Sequence, residues 1–152
     1  MFKGARPGES ARQPAPEGSS RQGPAAAQRP APLAPKQRGD AAEERALQHL
    51  QSRGLKLVQR NYRLAGGPRQ RGAEIDLILQ APDGTLVFVE VRQRRDARHG
   101  GAAASIGGLK QQRIVRAAQH FLLRFDRLPP CRFDVVAIDG DALVWLPGAF
   151  GT

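Results

Sequence analysis

A single cysteine, Cys131, stands in a chain of 152 residues. That excludes a disulfide framework and a cysteine-built zinc site. The three histidines, His49, His99 and His120, are scattered and have no metal-ligand spacing. Aromatic residues make up 5% of the chain, which gives little basis for stacking on single-stranded bases. No apolar run approaches the ~20 residues that cross a bilayer. The opening residues, Met1-Phe2-Lys3-Gly4-Ala5-Arg6, lack the apolar stretch of a secretory signal. Acidic residues are scarce too, with 14 Asp and Glu against 24 Lys and Arg. The composition therefore predicts a reduced, cytoplasmic protein with no membrane partner. Its net charge of +10 favours an anionic partner, nucleic acid first. No helix-turn-helix or zinc-finger signature points to base-specific readout, which leaves backbone and shape recognition.

Proline is present, but unevenly. Residues 1–36 hold seven of the 12 prolines, six basic and two acidic residues, and only Met1, Phe2 and Leu33 as large apolar side chains. Such a segment buries too little surface to offset its ordering entropy. It reads as a disordered basic tail, either an arm for nucleic acid or a solvated extension. Residues 37–152 read as one folded domain without internal repeats.

Within that domain the predicted order is helix, three strands, helix, two strands. Asp40 is the expected cap of a first helix running to about Arg53, with Gly54 just past its end. Strands are expected at Leu55–Arg63, Glu74–Leu79 and Leu86–Arg92, the last two joined by the turn Pro82-Asp83-Gly84. A Gly-rich basic loop, Leu64–Ala73, separates the first two strands, and a Gly- and Ala-rich loop runs from Arg95 to Gly108. Leu109–Arg124 has helical periodicity. Arg132–Ile138 and Ala142–Leu146 flank Asp139-Gly140-Asp141 as a last hairpin.

The central hairpin carries the chemistry. A turn centred on Asp83 places Asp76 opposite Glu90, or one residue from it, so that their Cβ atoms are about 5 Å apart. Alternation puts Glu74 and Asp76 on one face, Glu90 and Arg92 on one face, and Ile75, Leu77, Val87, Val89 and Val91 on the other. Like charges directly opposite destabilise a hairpin unless something compensates. A Mg²⁺ ion would do so, and so would neighbouring arginines. On the first helix Glu43 falls between Leu47 and Leu50 and faces inward, whereas Glu44 faces out. An inward Glu suits a metal, or complements the helix dipole beside an arginine. On the second helix Ile114, Ala117, Ala118, Phe121 and Phe125 form the apolar stripe. Lys110 lies on that stripe, either snorkelling to water or reaching for the carboxylates. Arg113, Arg116 and Arg124 lie along one edge of this helix and are placed to follow phosphates.

The motifs Gly39-x-x-x-Glu43-x-x-Ala46, Arg60-Asn61-Tyr62-Arg63, Glu74-Ile75-Asp76-Leu77-Ile78, Phe88-Val89-Glu90-Val91-Arg92-x-Arg94, Lys110 and Arg132-Phe133-Asp134-Val135 resemble the YraN family of small bacterial proteins. The resemblance spans nearly all of 37–152. It implies an α/β, restriction-endonuclease-like αβββαβ core close to Holliday-junction resolvases, with a mixed central sheet flanked by helices. It further implies a PD-(D/E)xK nuclease site using Mg²⁺ or Mn²⁺ on DNA, branched or damaged structures included, and a homodimer by analogy. Carried over by position, Asp76 and Glu90 bind the metal, Glu43 assists from the first helix, and Arg92 fills the lysine position. An arginine stays protonated, so it binds phosphate but accepts no proton. Lys110 is then the substitute lysine. Ala73 stands where the family usually has Gly, and loop 64–73 is longer than usual. The residues nominated for nucleic-acid contact are Arg60, Arg63, Arg71, Arg94, Arg113 and Arg116. A module of the same fold that binds nucleic acid without cleaving it is the alternative.

Overall fold

Pro35 opens the first helix, five residues before the expected cap. The computed structural model describes Gly4 and residues 31–93 and 106–151. In it α1 spans Pro35–Ser52. Proline suits the first helical position because its missing N–H would have no partner there. The Ala34 N–H donates to the Gln37 side chain at 3.1 Å. Asp40 therefore lies inside α1, a correction to the expected start. The helix ends as predicted: Gly54 has φ +91°, a conformation open to glycine, and its N–H donates to the Gln51 carbonyl at 3.0 Å.

Five strands follow the expected order: β1 (Lys56–Leu64), β2 (Ala73–Gln80), β3 (Leu86–Gln93), then α2 (Gly108–Leu122), β4 (Cys131–Asp139) and β5 (Ala142–Phe150). They form one sheet in the order β1-β2-β3-β4-β5. Neighbours are antiparallel except β3 and β4, which are parallel. A parallel pair needs a crossover, and α2 lies in it. This is the predicted α/β core, αβββαβ with β5 added: a mixed sheet flanked by two helices. The β2–β3 turn is built as read, with the Asp83 carboxylate accepting the Thr85 N–H at 3.0 Å and Gly84 at φ +90°.

Each helix covers a different face of the sheet. Ala42, Ala46, Leu47 and Leu50 of α1 pack with Leu77, Leu79, Val87, Val89, Val136 and Ile138. Ile114, Ala117, Ala118 and Phe121 of α2 pack with Tyr62, Ile75, Ile78, Phe88 and Phe133. Two residues expected along α2 lie beyond it. Phe125 is 36% exposed. The Arg124 Nε donates to the Phe121 carbonyl at 3.0 Å, and its guanidinium lies 3.7 Å from the centre of the Phe121 ring. Arg124 thus closes the end of α2 instead of extending along its edge.

One break in alternation matters for the site. Leu77 and Leu79 face α1, but Ile75 packs on the α2 side. Ile75 was expected on the face of Leu77, so the assignment is corrected. On β1 the same switch falls at Asn61. Arg60 pairs with Leu77 and Tyr62 pairs with Ile75, and Asn61 between them has φ +49°. A left-handed residue interrupts the period of two, and Asn tolerates that conformation better than most. The β1–β2 ribbon therefore changes face at Asn61 and Asp76.

Candidate functional site

The predicted hairpin register is the observed one. Leu77 pairs with Val89, Ile78 with Phe88 and Leu79 with Val87. The ladder stops at Leu77–Val89, and the next residues along it are Asp76 and Glu90. There the two strands part. The Val91 N–H of β3 donates to the Asp76 carboxylate at 2.8 Å instead of to a β2 carbonyl. An acidic side chain thus replaces the missing ladder bond and is fixed by it.

Glu90 sits beside it, only 4% exposed. The two carboxylates line the same cavity, side by side. Burial pushes the Asp76 carboxyl up to about 8, the Glu90 charge adds to this, and the Val91 amide opposes it. The Lys110 ammonium contacts the Glu90 carboxylate. Of the two positions foreseen for Lys110, pointing to water or reaching for the carboxylates, the second is the observed one. Glu43 is half-buried and Glu44 exposed, as the helical wheel predicts. Burial raises the Glu43 carboxyl, chiefly, followed by the charge of Asp40; Arg60 opposes and Glu74 and Glu90 add smaller increments. Glu43 therefore reaches the pair through its field. Among the described residues no group of three or more His, Cys, Asp and Glu forms a ready metal chelate.

The pair opens onto a cavity of about 260 Å³ whose walls include Glu74, Asp76, Glu90, Lys110 and Arg113. Two hard carboxylate donors facing room for water and a phosphate suit Mg²⁺, which takes one or two carboxylates and completes its shell with such oxygens. Arg92 is half-buried on β3. The lysine in contact with Glu90 comes from α2 instead.

The remaining nominated arginines divide. Arg71, Arg113 and Arg116 come together beside the carboxylates, in a second cavity that also takes Arg69. Arg60 is bound to Glu44 at 3.0 Å and Arg63 to Glu74 at 3.5 Å. Arg94 lies outside the described residues. Sequence reasoning singled out the basic loop 64–73 but not Arg69 itself. It also gave no role to Asp134, which is fully buried. The Asp134 carboxylate accepts from Arg132 Nε at 3.0 Å, Trp145 Nε1 at 2.9 Å and the Gly148 N–H at 2.9 Å. It binds β5 to β4 and is structural. An Asp inside the apolar run Phe133-Asp134-Val135-Val136 was its one signal.

Comparison with known sequences places this geometry in a family. The profile of the uncharacterised protein family UPF0102 matches residues 42–138. The chain belongs to UPF0102. A UPF0102 protein of Methylibium petroleiphilum is 67% identical over 108 residues, 71% of this chain and 88% of the relative. A UPF0102 protein of Albidiferax ferrireducens is 62% identical over 108 residues, 71% of this chain and 82% of the relative. One from Acidovorax is also 62% identical over 108 residues and is covered over 80% of its length. The YraN resemblance of the motifs is thereby met. The matched segment of UPF0102 holds Glu43, Asp76, Glu90 and Lys110.

Proposed function

We propose that this UPF0102 protein is a Mg²⁺- or Mn²⁺-dependent nuclease acting on DNA, with Asp76 and Glu90 as the metal-holding carboxylates. One observation carries the reading. Two neighbouring carboxylates, one held by a backbone amide and the other contacted by a lysine, sit where two strands part and open onto a cavity edged by an arginine. A structural ion pair needs no second acid beside it; a phosphodiesterase site does. Bound there, the cation would neutralise charge on the phosphate and make its water more acidic.

The chain's own groups supply the rest. Val91 holds one Asp76 oxygen and leaves the other for the pair. Lys110 orients Glu90 and places a positive charge beside the phosphate position. Arg113 reaches the same cavity and is suited to phosphate oxygens. Glu43 adds negative potential that favours a cation. The positive charge of the whole chain raises the encounter rate with DNA.

The test is direct. The purified full chain is incubated with duplex, single-stranded and four-way-junction DNA, with and without Mg²⁺ or Mn²⁺. Cleavage is expected only with the cation. It is expected to disappear in Asp76→Asn and to fall about 100-fold or more in Lys110→Ala. Cleavage that persists in Asp76→Asn contradicts the reading. Arg92 in the lysine position favours the second reading, a binding module without cleavage. Cation-independent DNA binding with no cleavage by wild type or by Arg92→Lys would select it.

A further inference from the structure

We infer that the cleft between the β1–β2 loop and α2 is a docking track for the sugar-phosphate backbone of duplex DNA, seating phosphates that flank the reacting bond. The position of the track beside a reacting bond rests on the nuclease reading; Arg69, Arg71 and Arg116 lie outside the carboxylate cavity, and Arg113 joins the two.

The cleft is a cavity of about 420 Å³ that shares Arg113 with the carboxylate cavity. Arg69 and Arg71 enter it from the loop, and Arg113 and Arg116 from α2. Among the described residues no acidic side chain lines it. Among the described residues none of these four arginines is paired with a carboxylate. Four guanidinium groups around one hollow repel each other, and Arg113 and Arg116 are half-buried, where water screens them less. A row of phosphates relieves both costs. Guanidinium forks match phosphate geometry, so arginine suits this task better than lysine.

The loop is built to hold its arginines in place. Gly67 and Gln70 exchange backbone hydrogen bonds at 2.9 and 3.2 Å. A Cβ on Gly66 would stand 2.4 Å from the Gln70 carbonyl oxygen and 2.6 Å from the Gly72 nitrogen, so only glycine allows the closure. Arg116 donates from its guanidinium to the Arg71 carbonyl, fastening the loop to α2. A preorganised anion site binds with less ordering cost than a mobile loop.

The occupant follows from what lines the cleft. Among the described residues no aromatic ring lines it, so they offer bases no platform to stack on. Contacts are left to the backbone, and duplex DNA offers the densest array, one charge per about 1.7 Å of axis.

The test uses full-length protein, a labelled duplex of about 20 base pairs and a chelator, so that cleavage plays no part. Binding is read by fluorescence anisotropy across salt concentration. In the triple variant Arg69→Ala/Arg71→Ala/Arg113→Ala the log–log salt slope is expected to fall by about 3, near 0.9 per phosphate contact. Affinity at moderate salt is expected to fall at least about 30-fold. Arg69→Gln alone, at an exposed position, should lower the slope by about 1, which keeps the test valid if the triple variant folds poorly. Arg53→Ala, beside α1 on the opposite face, should bind as wild type does. Wild-type affinity and slope in both cleft variants would overturn the track, as would tighter binding of a single strand of equal length. The two ideas fail separately. Absence of cleavage with arginine-dependent binding leaves the track standing. Cation-dependent cleavage by wild type with wild-type DNA binding by the cleft variants removes the track and leaves the nuclease.

Discussion

Asp76 is partly buried beside a second carboxylate and held by a backbone amide, and burial together with the Glu90 charge raises its carboxyl to about 8. An acid whose folded pKa lies above its unfolded value binds more protons when folded. Its stabilising effect is therefore full at low pH and is lost as pH rises from about 3.8 to about 8. Without metal, the melting temperature should decline across that window. Asp76→Asn, neutral at every pH, should flatten the decline and melt higher than wild type near pH 8. Melts in chelator at several pH values check this; parallel wild-type and variant profiles would contradict it. Residue-scale features of the site were largely legible. Glu43 against Glu44 followed from 100° per residue, and the Asp76–Glu90 pairing followed from one turn. Lys110 was legible only as an oddity on an apolar stripe, because its contact depends on where α2 crosses the sheet.

The elements were legible to within a few residues wherever local rules govern them. Gly54 and Asp83-Gly84 mark ends and turns through backbone requirements that tertiary context does not override. The start of α1 was misplaced because Asp40 offers a cap while Pro35 offers a start, and the helix takes the earlier signal. Ile75 was misplaced because strict alternation was assumed through a strand that changes face. Asn61 opposite that point is the physical cause, and a testable one. A β-branched residue in the left-handed region costs about 1–2 kcal/mol. Asn61→Val should therefore destabilise by roughly that amount, and Asn61→Gly by less, in denaturant melts. Equal stability of the two variants would count against the strain. Asp134 makes a second prediction at this scale. Asp134→Ala takes a fully buried acceptor from half-buried donors on Trp145 and Arg132 and from the Gly148 N–H, at a cost of about 2–4 kcal/mol. Affinity for Mn²⁺ should be unchanged in the folded fraction, because Asp134 takes no part in the carboxylate pair.

The whole molecule combines an acidic pair with a strongly basic chain, and the division of labour sets its behaviour toward DNA. Residues 1–30 carry five basic and two acidic side chains and add only Met1 and Phe2 as large apolar groups. The core clusters draw their residues from positions 42–150. Removing residues 1–30 should thus change the melting temperature by no more than about 2 °C. It should weaken duplex binding at low salt and reduce the salt slope. A large fall in melting temperature would place the tail in the fold, and unchanged binding would remove its electrostatic role. At this scale the sequence spoke clearly about charge and topology. It was silent on the cleft, because Arg69 and Arg71 meet Arg113 and Arg116 only after the loop closes on α2.

Titration calorimetry of the metal-free protein with Mn²⁺ at pH 7, in buffers of different ionisation enthalpy, tests the central claim most directly. The account predicts one site per chain and release of close to one proton, drawn from the Asp76–Glu90 pair as the cation displaces it. Both signals should vanish in Asp76→Asn. Binding of equal strength in the variant, or no binding in wild type, would contradict the account.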